Sequence, residues 1–383
     1  MRDVILVSAD SVRYDFLDAM PYVSANLDNH ETITGAHYTR PSLASLLTSN
    51  YQGAVESRVM EPSVADAFSD AGYTTIGLSS SPHTDARFGF DRGFDVYHHF
   101  SEAGNRGNPI RQFASQFDLV RKVYHRFKPP HAKLSNRLPD DELIDHSIEA
   151  FNDESGPRFM WLHMMGTHRP YGLGDDAVPK EIDRKALFKP EKLTDAEEAT
   201  IEEKYRATLK RADAEIERLV ESVDSEDPIV VFTSDHGDEF GEEGHWFHQP
   251  QRGRVADALI TVPAATNDLE LAEPLSSLDI APSILADQAG PDAIPSEWHG
   301  KDVRTNAARP ESEQADGEAG RDHALTVAPW HGSATLAWQD FETKIVAKDA
   351  DLELSRDGET IEAERGDVDE DLKQQMRDLG YVE

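Results

Sequence analysis

Ser234-Asp235-His236-Gly237-Asp238-Glu239 sets a carboxylate beside an imidazole, with His245 and His248 close behind. Adjacent Asp and His offer one oxygen and one nitrogen to a single divalent cation. Gly237 lets the backbone turn tightly after them. The block follows Pro228-Ile-Val-Val-Phe-Thr233, an apolar run that reads as a buried strand feeding a loop. Asp10 ends a second such run, Val4-Ile-Leu-Val-Ser-Ala9. Ligands gather at the carboxyl ends of strands in an open parallel sheet, so Asp10 and Asp235 are placed alike. The plain alternative for Asp10 is a surface Asp before a helix capped by Ser11 or Asp15.

A third stretch, Thr39-Arg-Pro-Ser-Leu-Ala-Ser-Leu-Leu-Thr-Ser49, reads as a helix start. Pro41 suits the first turn, and Leu43, Leu46 and Leu47 repeat at helical spacing. Thr39 then sits at the helix N-terminus, where open N–H groups and the dipole favour an alkoxide or a bound phosphate or sulfate. Alone, the stretch is better read as an ordinary cap and a buried Leu stripe.

Together these residues resemble the sulfatase branch of the alkaline phosphatase superfamily. Thr39 to Ser49 is similar to the family's Cys/Ser/Thr-x-Pro-Ser-x-x-x-Leu-Leu-Thr-Gly, and Asp235 to Asp238 to its Asp-His-Gly-Glu. Trp161-Leu-His163-Met-Met-Gly-Thr-His168-Arg-Pro-Tyr171 resembles its two-histidine segment. Gly89-Phe-Asp91 and Leu278-Asp279-Ile-Ala-Pro282 also have family counterparts, all in family order. The resemblance implies that Asp10, Asp235 and His236 bind one divalent metal and that Thr39 is both ligand and nucleophile. It places His168 and His248 on the transferred group. Three oxygens and one imidazole suit Mn²⁺, Mg²⁺, Ca²⁺ or Zn²⁺ without choosing among them. The implied substrate is an anionic ester, glycan- or lipid-linked.

Three positions depart from the family. Sulfatases oxidise a Cys or Ser to formylglycine, whereas this chain has Thr39 there and no Cys. Leu43 replaces the Arg that usually follows Pro-Ser, and Ser11 replaces the second carboxylate after Asp10. A Thr nucleophile resembles the phosphoester-cleaving and phosphate-transferring relatives, so a phosphate ester is favoured. The alternatives are a sulfuric ester hydrolase and a non-catalytic binding module. Ser42 is the reserve nucleophile. His245 is read as a group behind the ligands, ahead of a second-metal ligand or a surface residue; with His168 and His248 it completes the expected substrate-binding set. His163 is read as a core histidine, and His83 as either a pocket or a turn residue.

The elements that must hold these groups follow an α/β pattern. Strand-like runs are 4–9, 74–79, 159–165, 229–233 and 259–263; helix-like runs at 62–71, 142–151 and 197–223 lie between several of them. That alternation predicts an alkaline phosphatase-like, mostly parallel sheet covered by helices on both faces. A polar stretch at 305–322 separates an expected catalytic domain, 1–304, from a small C-terminal subdomain, 323–383. Short runs at 324–328, 334–338, 344–347 and 352–355 predict an antiparallel sheet there, with a last helix at 370–379.

Net charge is −35, from 73 acidic and 38 basic residues over 383, and only 13 of the basic residues are Lys. Such a surface reads as adaptation to molar salt. It excludes general nucleic-acid binding, which needs a basic footprint. The absence of Cys excludes disulfides and thiolate metal sites. No apolar run spans a bilayer and no signal-like segment precedes the first strand, so a cytoplasmic protein is expected. Residues 101–134 stand apart with seven cations and two acids. Phe113, Phe117, Val120, Tyr124 and Phe127 there predict a basic amphipathic helix. A helix packed on the core is favoured over membrane-surface contact through 111–127.

Overall fold

The computed structural model describes residues 1–100, 138–172, 174–305, 309, 320–330, 333–340, 343–348, 351–356 and 359–361. The basic amphipathic stretch and the expected last helix lie outside these residues.

Eight strands form the main sheet: β1 (Val4–Ala9), β2 (Asp28–Ile33), β3 (Thr74–Ser79), β4 (Val96–His99), β5 (Arg158–Met164), β6 (Ile229–Ser234), β7 (Thr261–Thr266) and β8 (Leu275–Ser276). Their order is β4-β3-β5-β1-β6-β7-β2-β8. The first five neighbours run parallel, and β7 is antiparallel to both β6 and β2. Helices join and cover the strands: α1 (Pro21–Asn26), α2 (Thr39–Thr48), α3 (Tyr51–Glu56), α4 (Val64–Asp70), α5 (Asp140–Asp153), α6 (Lys180–Phe188), α7 (Asp195–Ser222), α8 (Asp257–Ile260) and α9 (Ile280–Ala289).

Because side chains alternate along a strand, β1 feeds two cores. Ile5, Val7 and Ala9 pack with Leu143 and Phe151 of α5 and with Tyr205, Leu209 and Ile216 of α7. Val4 and Leu6 pack with Leu43 and Leu47 of α2, Phe68 of α4 and Ile284 of α9. With both faces covered, a central parallel strand is mostly apolar, and β1, β5 and β6 are buried along their whole length. α7 starts with a capping box, in which Thr194 and Glu197 satisfy each other's backbone N–H.

Several boundaries differ from the sequence expectation. The run at 259–263 divides into the end of α8 and the start of β7, so the strand is 261–266. β2, of sequence Asp-Asn-His-Glu-Thr-Ile, carries no apolar signal because most of it is only partly buried; backbone pairing with β7 makes it a strand.

The chain then forms a five-stranded antiparallel sheet: β9 (Ala324–Trp330), β10 (Ser333–Gln339), β11 (Thr343–Lys348), β12 (Asp351–Arg356) and β13 (Glu359–Ile361). It is joined to the main body. Val327 N–H donates to Gly35 O at 2.9 Å, and Thr326 Oγ1 donates to Thr34 O at 2.7 Å. The Arg321 guanidinium donates two hydrogen bonds to buried Asp279 ahead of α9. Among the described residues, no helix is long and apolar enough to cross a membrane.

Candidate active site

Register brings the two strand-end carboxylates together. Ala9 of β1 lies opposite Ser234 of β6, so Asp10 and Asp235 leave the sheet as neighbours. Both are buried. Ser11 bridges them: its Oγ donates to Asp10 Oδ1 at 2.7 Å and its N–H to Asp235 Oδ1 at 3.1 Å. It does so from a positive φ of 59°, a costly conformation for a residue with a Cβ. Tyr205 from α7 donates to Ser11 O at 2.8 Å and helps hold that turn. Thr167 Oγ1 donates to Asp10 O at 2.6 Å.

Thr39 is the first residue of α2 and only 2 % exposed. Its Oγ1 donates to Asp10 Oδ2 at 3.2 Å and lies 3.2 Å from His236 Nε2. Ser42, one turn on, spends its hydroxyl on Asp235 O and so ties α2 to the turn after β6. His236 Nδ1 donates to Gly237 O at 2.9 Å, which leaves the Nε2 lone pair facing Thr39 and Asp235. Gly237 has no alternative there: a Cβ would stand 2.1 Å from Ala258 O.

His248 and His168 close the pocket. The His248 ring centroid lies 4.3 Å from that of His236 and 5.4 Å from that of His168. Asp238 is the partner that spacing alone did not single out. It is buried, accepts from His248 N–H at 2.7 Å and from His248 Nδ1 at 2.6 Å, and also takes the Tyr171 hydroxyl. His248 is thereby held with Nδ1 protonated and Nε2 available. Burial pushes the Asp238 carboxyl up, yet the charge and hydrogen bond of His248 hold it below the usual range. His245 stands apart: its backbone closes a turn with Gly241 and Glu242, and burial with Arg254 and Arg252 lowers its pKa. His163 is wholly buried in β5, with Nδ1 3.0 Å from Ser8 Oγ. His83 is partly buried, and burial and then the Arg40 charge lower its pKa, with Asp10 opposing.

The electrostatics fit a divalent cation. Burial and then the Asp10 charge push the Asp235 carboxyl well above the carboxylate range. Asp10 goes the other way: burial raises it, but His168, His236, His248 and His163 outweigh that. Two buried carboxylates side by side cannot both ionise without a positive charge between them. Asp235 Oδ2 is buried with no hydrogen-bond partner, 3.6 Å from His236 Nε2. Asp10, Asp235 and His236 each offer a donor atom, all within 4.8 Å of one another, and Thr39 Oγ1 faces the same point. His236, Asp238 and His248 also lie within that span. Asp238, however, is already engaged by His248 and Tyr171, so the orphaned oxygen favours the first set.

A family model described as Sulfatase matches residues 2–287. The chain belongs to the sulfatase family. It is accordingly an ester hydrolase by family, and sulfatase-family enzymes use a metal ion. Comparison with curated proteins returned no match. Among solved structures, the fold is similar to a phosphonate monoester hydrolase of Agrobacterium radiobacter, at 18 % identity and TM-score 0.66, over 93 % of this chain and 89 % of that one. It is similar to a phosphonate monoester hydrolase from Silicibacter pomeroyi, at 17 % identity and TM-score 0.65, over 99 % and 94 %. It is also similar to a 2-O GAG sulfatase, at 14 % identity and TM-score 0.64, over 99 % and 90 %. Within the sulfatase framework, Leu43 is fully buried against the second core, so no cation from that position reaches the pocket.

Proposed function

We propose that this chain cleaves or transfers a phosphate ester through a covalent Thr39 intermediate, with Asp10, Asp235, His236 and Thr39 holding one divalent metal. The observation that carries this reading is Thr39 Oγ1, 3.2 Å from both Asp10 Oδ2 and His236 Nε2 at a helix N-terminus. When bound, the cation supplies Lewis acidity, lowering the pKa of the Thr39 hydroxyl and offsetting charge on the transferred oxygens.

Thr39 Oγ1 bonds to phosphorus as the bond to the alcohol oxygen breaks on the opposite side. Water or an acceptor alcohol then displaces Thr39 from phosphorus. His248 Nε2 takes the proton that Thr39 sheds and gives it to the departing oxygen; it then takes one from the incoming hydroxyl and returns it to Thr39 as that bond breaks, with Asp238 steadying the charge. His168 contacts the transferred group from the neighbouring side. A Thr carries a methyl group on Cβ, so its oxidation yields a ketone and not the formylglycine aldehyde. That chemistry supports phosphorus over sulfur.

The test is turnover of matched aryl phosphate monoester, phosphate diester, phosphonate monoester and sulfate in concentrated KCl with Mn²⁺, on wild type and Thr39→Ala. Phosphoester turnover that falls at least about 10³-fold in Thr39→Ala is expected. Turnover of the sulfate alone, dependent on Thr39, would refute the phosphoester reading. Equal rates in wild type and variant would refute the nucleophile.

A further inference from the structure

Arg40 directly follows the nucleophile and is half-buried. Its Nε is shut off from solvent and meets no acceptor. Among the described residues, no carboxylate pairs with its guanidinium. The other guanidinium groups around the pocket differ. Arg13 pairs with Asp15 and Glu242, Arg169 with Asp183, and Arg254 with Glu239 and Glu243. In a chain with 73 acidic residues, a partly desolvated cation without a carboxylate has an unmet demand.

Packing sets its direction. The Arg40 Cζ lies 4.1 Å from the centroid of the Phe88 ring, and the Arg87 Cζ lies 5.0 Å from the same ring. Two like charges thus share one phenyl group. A cation–π contact holds a guanidinium flat but satisfies none of its five N–H donors. Successive helical residues diverge by about 100° around the axis, so Arg40 leaves α2 on a different side from Thr39. Burial and then the Arg40 charge hold the His83 imidazole down to about 4, while Asp10 pulls it up.

We propose that Arg40, backed by Phe88 with Arg87 on the same ring, binds a second anionic group of the substrate whose first group Thr39 receives. Carboxylate, phosphate and sulfate share the required chemistry, a planar or tetrahedral set of oxygens that a guanidinium grips with two N–H bonds. This rests on the reading that Thr39 receives the first anionic group.

The experiment is calorimetric titration of Mn²⁺-loaded protein with phenylphosphonate and with its 3- and 4-carboxy derivatives, none of which carries an ester to cleave. Wild type should bind at least one carboxylated probe about tenfold more tightly than the plain one, the scale of one charge-assisted contact. Arg40→Leu should bring that ratio close to one, and Arg40→Lys should keep part of it, which separates charge from misfolding. Three results overturn the proposal: no preference in wild type, an undiminished preference in Arg40→Leu, or a loss equal for all three probes. The ratio is read without turnover. A preference that persists while Thr39-dependent hydrolysis is absent would refute the catalytic reading and leave the second subsite standing.

Discussion

Asp238 receives three hydrogens on two oxygens: the backbone N–H and ring N–H of His248, and the hydroxyl of Tyr171. Asn at this position keeps the shape but removes the charge facing His248, and it puts an amide donor where only acceptors serve. Asp238→Asn should therefore lower kcat by about 10²-fold or more, with bound metal unchanged. Steady-state kinetics beside metal analysis checks this; a lost metal with kcat falling in proportion would instead make Asp238 a ligand. The residue was visible in sequence only as the last place of Asp-His-Gly-Asp. Its partner lies ten positions on, and nothing in that spacing says that the loop through Glu242 and His245 folds back. The turns at Gly241 and Gly244, with φ of 104° and 77°, reverse the chain there.

At the scale of elements, the parallel strands do more than carry the Asp10 and Asp235 carboxylates. β5 lies between β1 and β3, and His163 sits opposite Ser8 on one side and Ser79 on the other. Burial holds the His163 imidazole down to about 4, with Asp10 opposing, and its Nε2 has no hydrogen-bond partner. A depressed histidine takes its proton in the unfolded chain first. Its contribution is intact above about pH 6.5 and is lost as pH falls from there toward about 4. The size is on the order of 3 kcal/mol for a shift of this extent. Urea midpoints at pH 7.5 and pH 5 should fall further apart in wild type than in His163→Gln. Equal spacing would mean that His163 does not couple to stability. Element prediction worked where burial is two-sided and the chain must be apolar, as in β1 and β6. It failed for β2, whose polar residues hide a strand that backbone hydrogen bonds build.

The whole molecule carries −35 charges, and like charges at the surface oppose the compact state. The Debye length falls from about 10 Å at 0.1 M salt to about 3 Å at 1 M, so added salt should remove much of that repulsion. Thermal unfolding between 0.1 M and 3 M KCl should move upward by on the order of 10 °C, with NaCl giving a similar rise. A Tm independent of salt would contradict the reading of this composition as adaptation to molar salt. The same screening reaches buried and half-buried groups less, so the site carboxylates and Arg40 keep their fields in conditions that quiet the surface.

Residue types and local periodicity determined the local half of this protein. The runs before Asp10 and Asp235 are apolar because two cores need them, and Pro41 with its Leu repeat starts a helix at Thr39 whatever lies around it. Those signals are local, so they survive in one dimension. Tertiary structure decided which of the candidates meet. Register between β1 and β6 sets Asp10 beside Asp235, the return of the 241–245 turn sets Asp238 under His248, and Phe88 packs against the Arg40 guanidinium. Each brings together residues at least 10 positions apart in the chain. Such contacts depend on chain path and burial, which spacing along the sequence does not record.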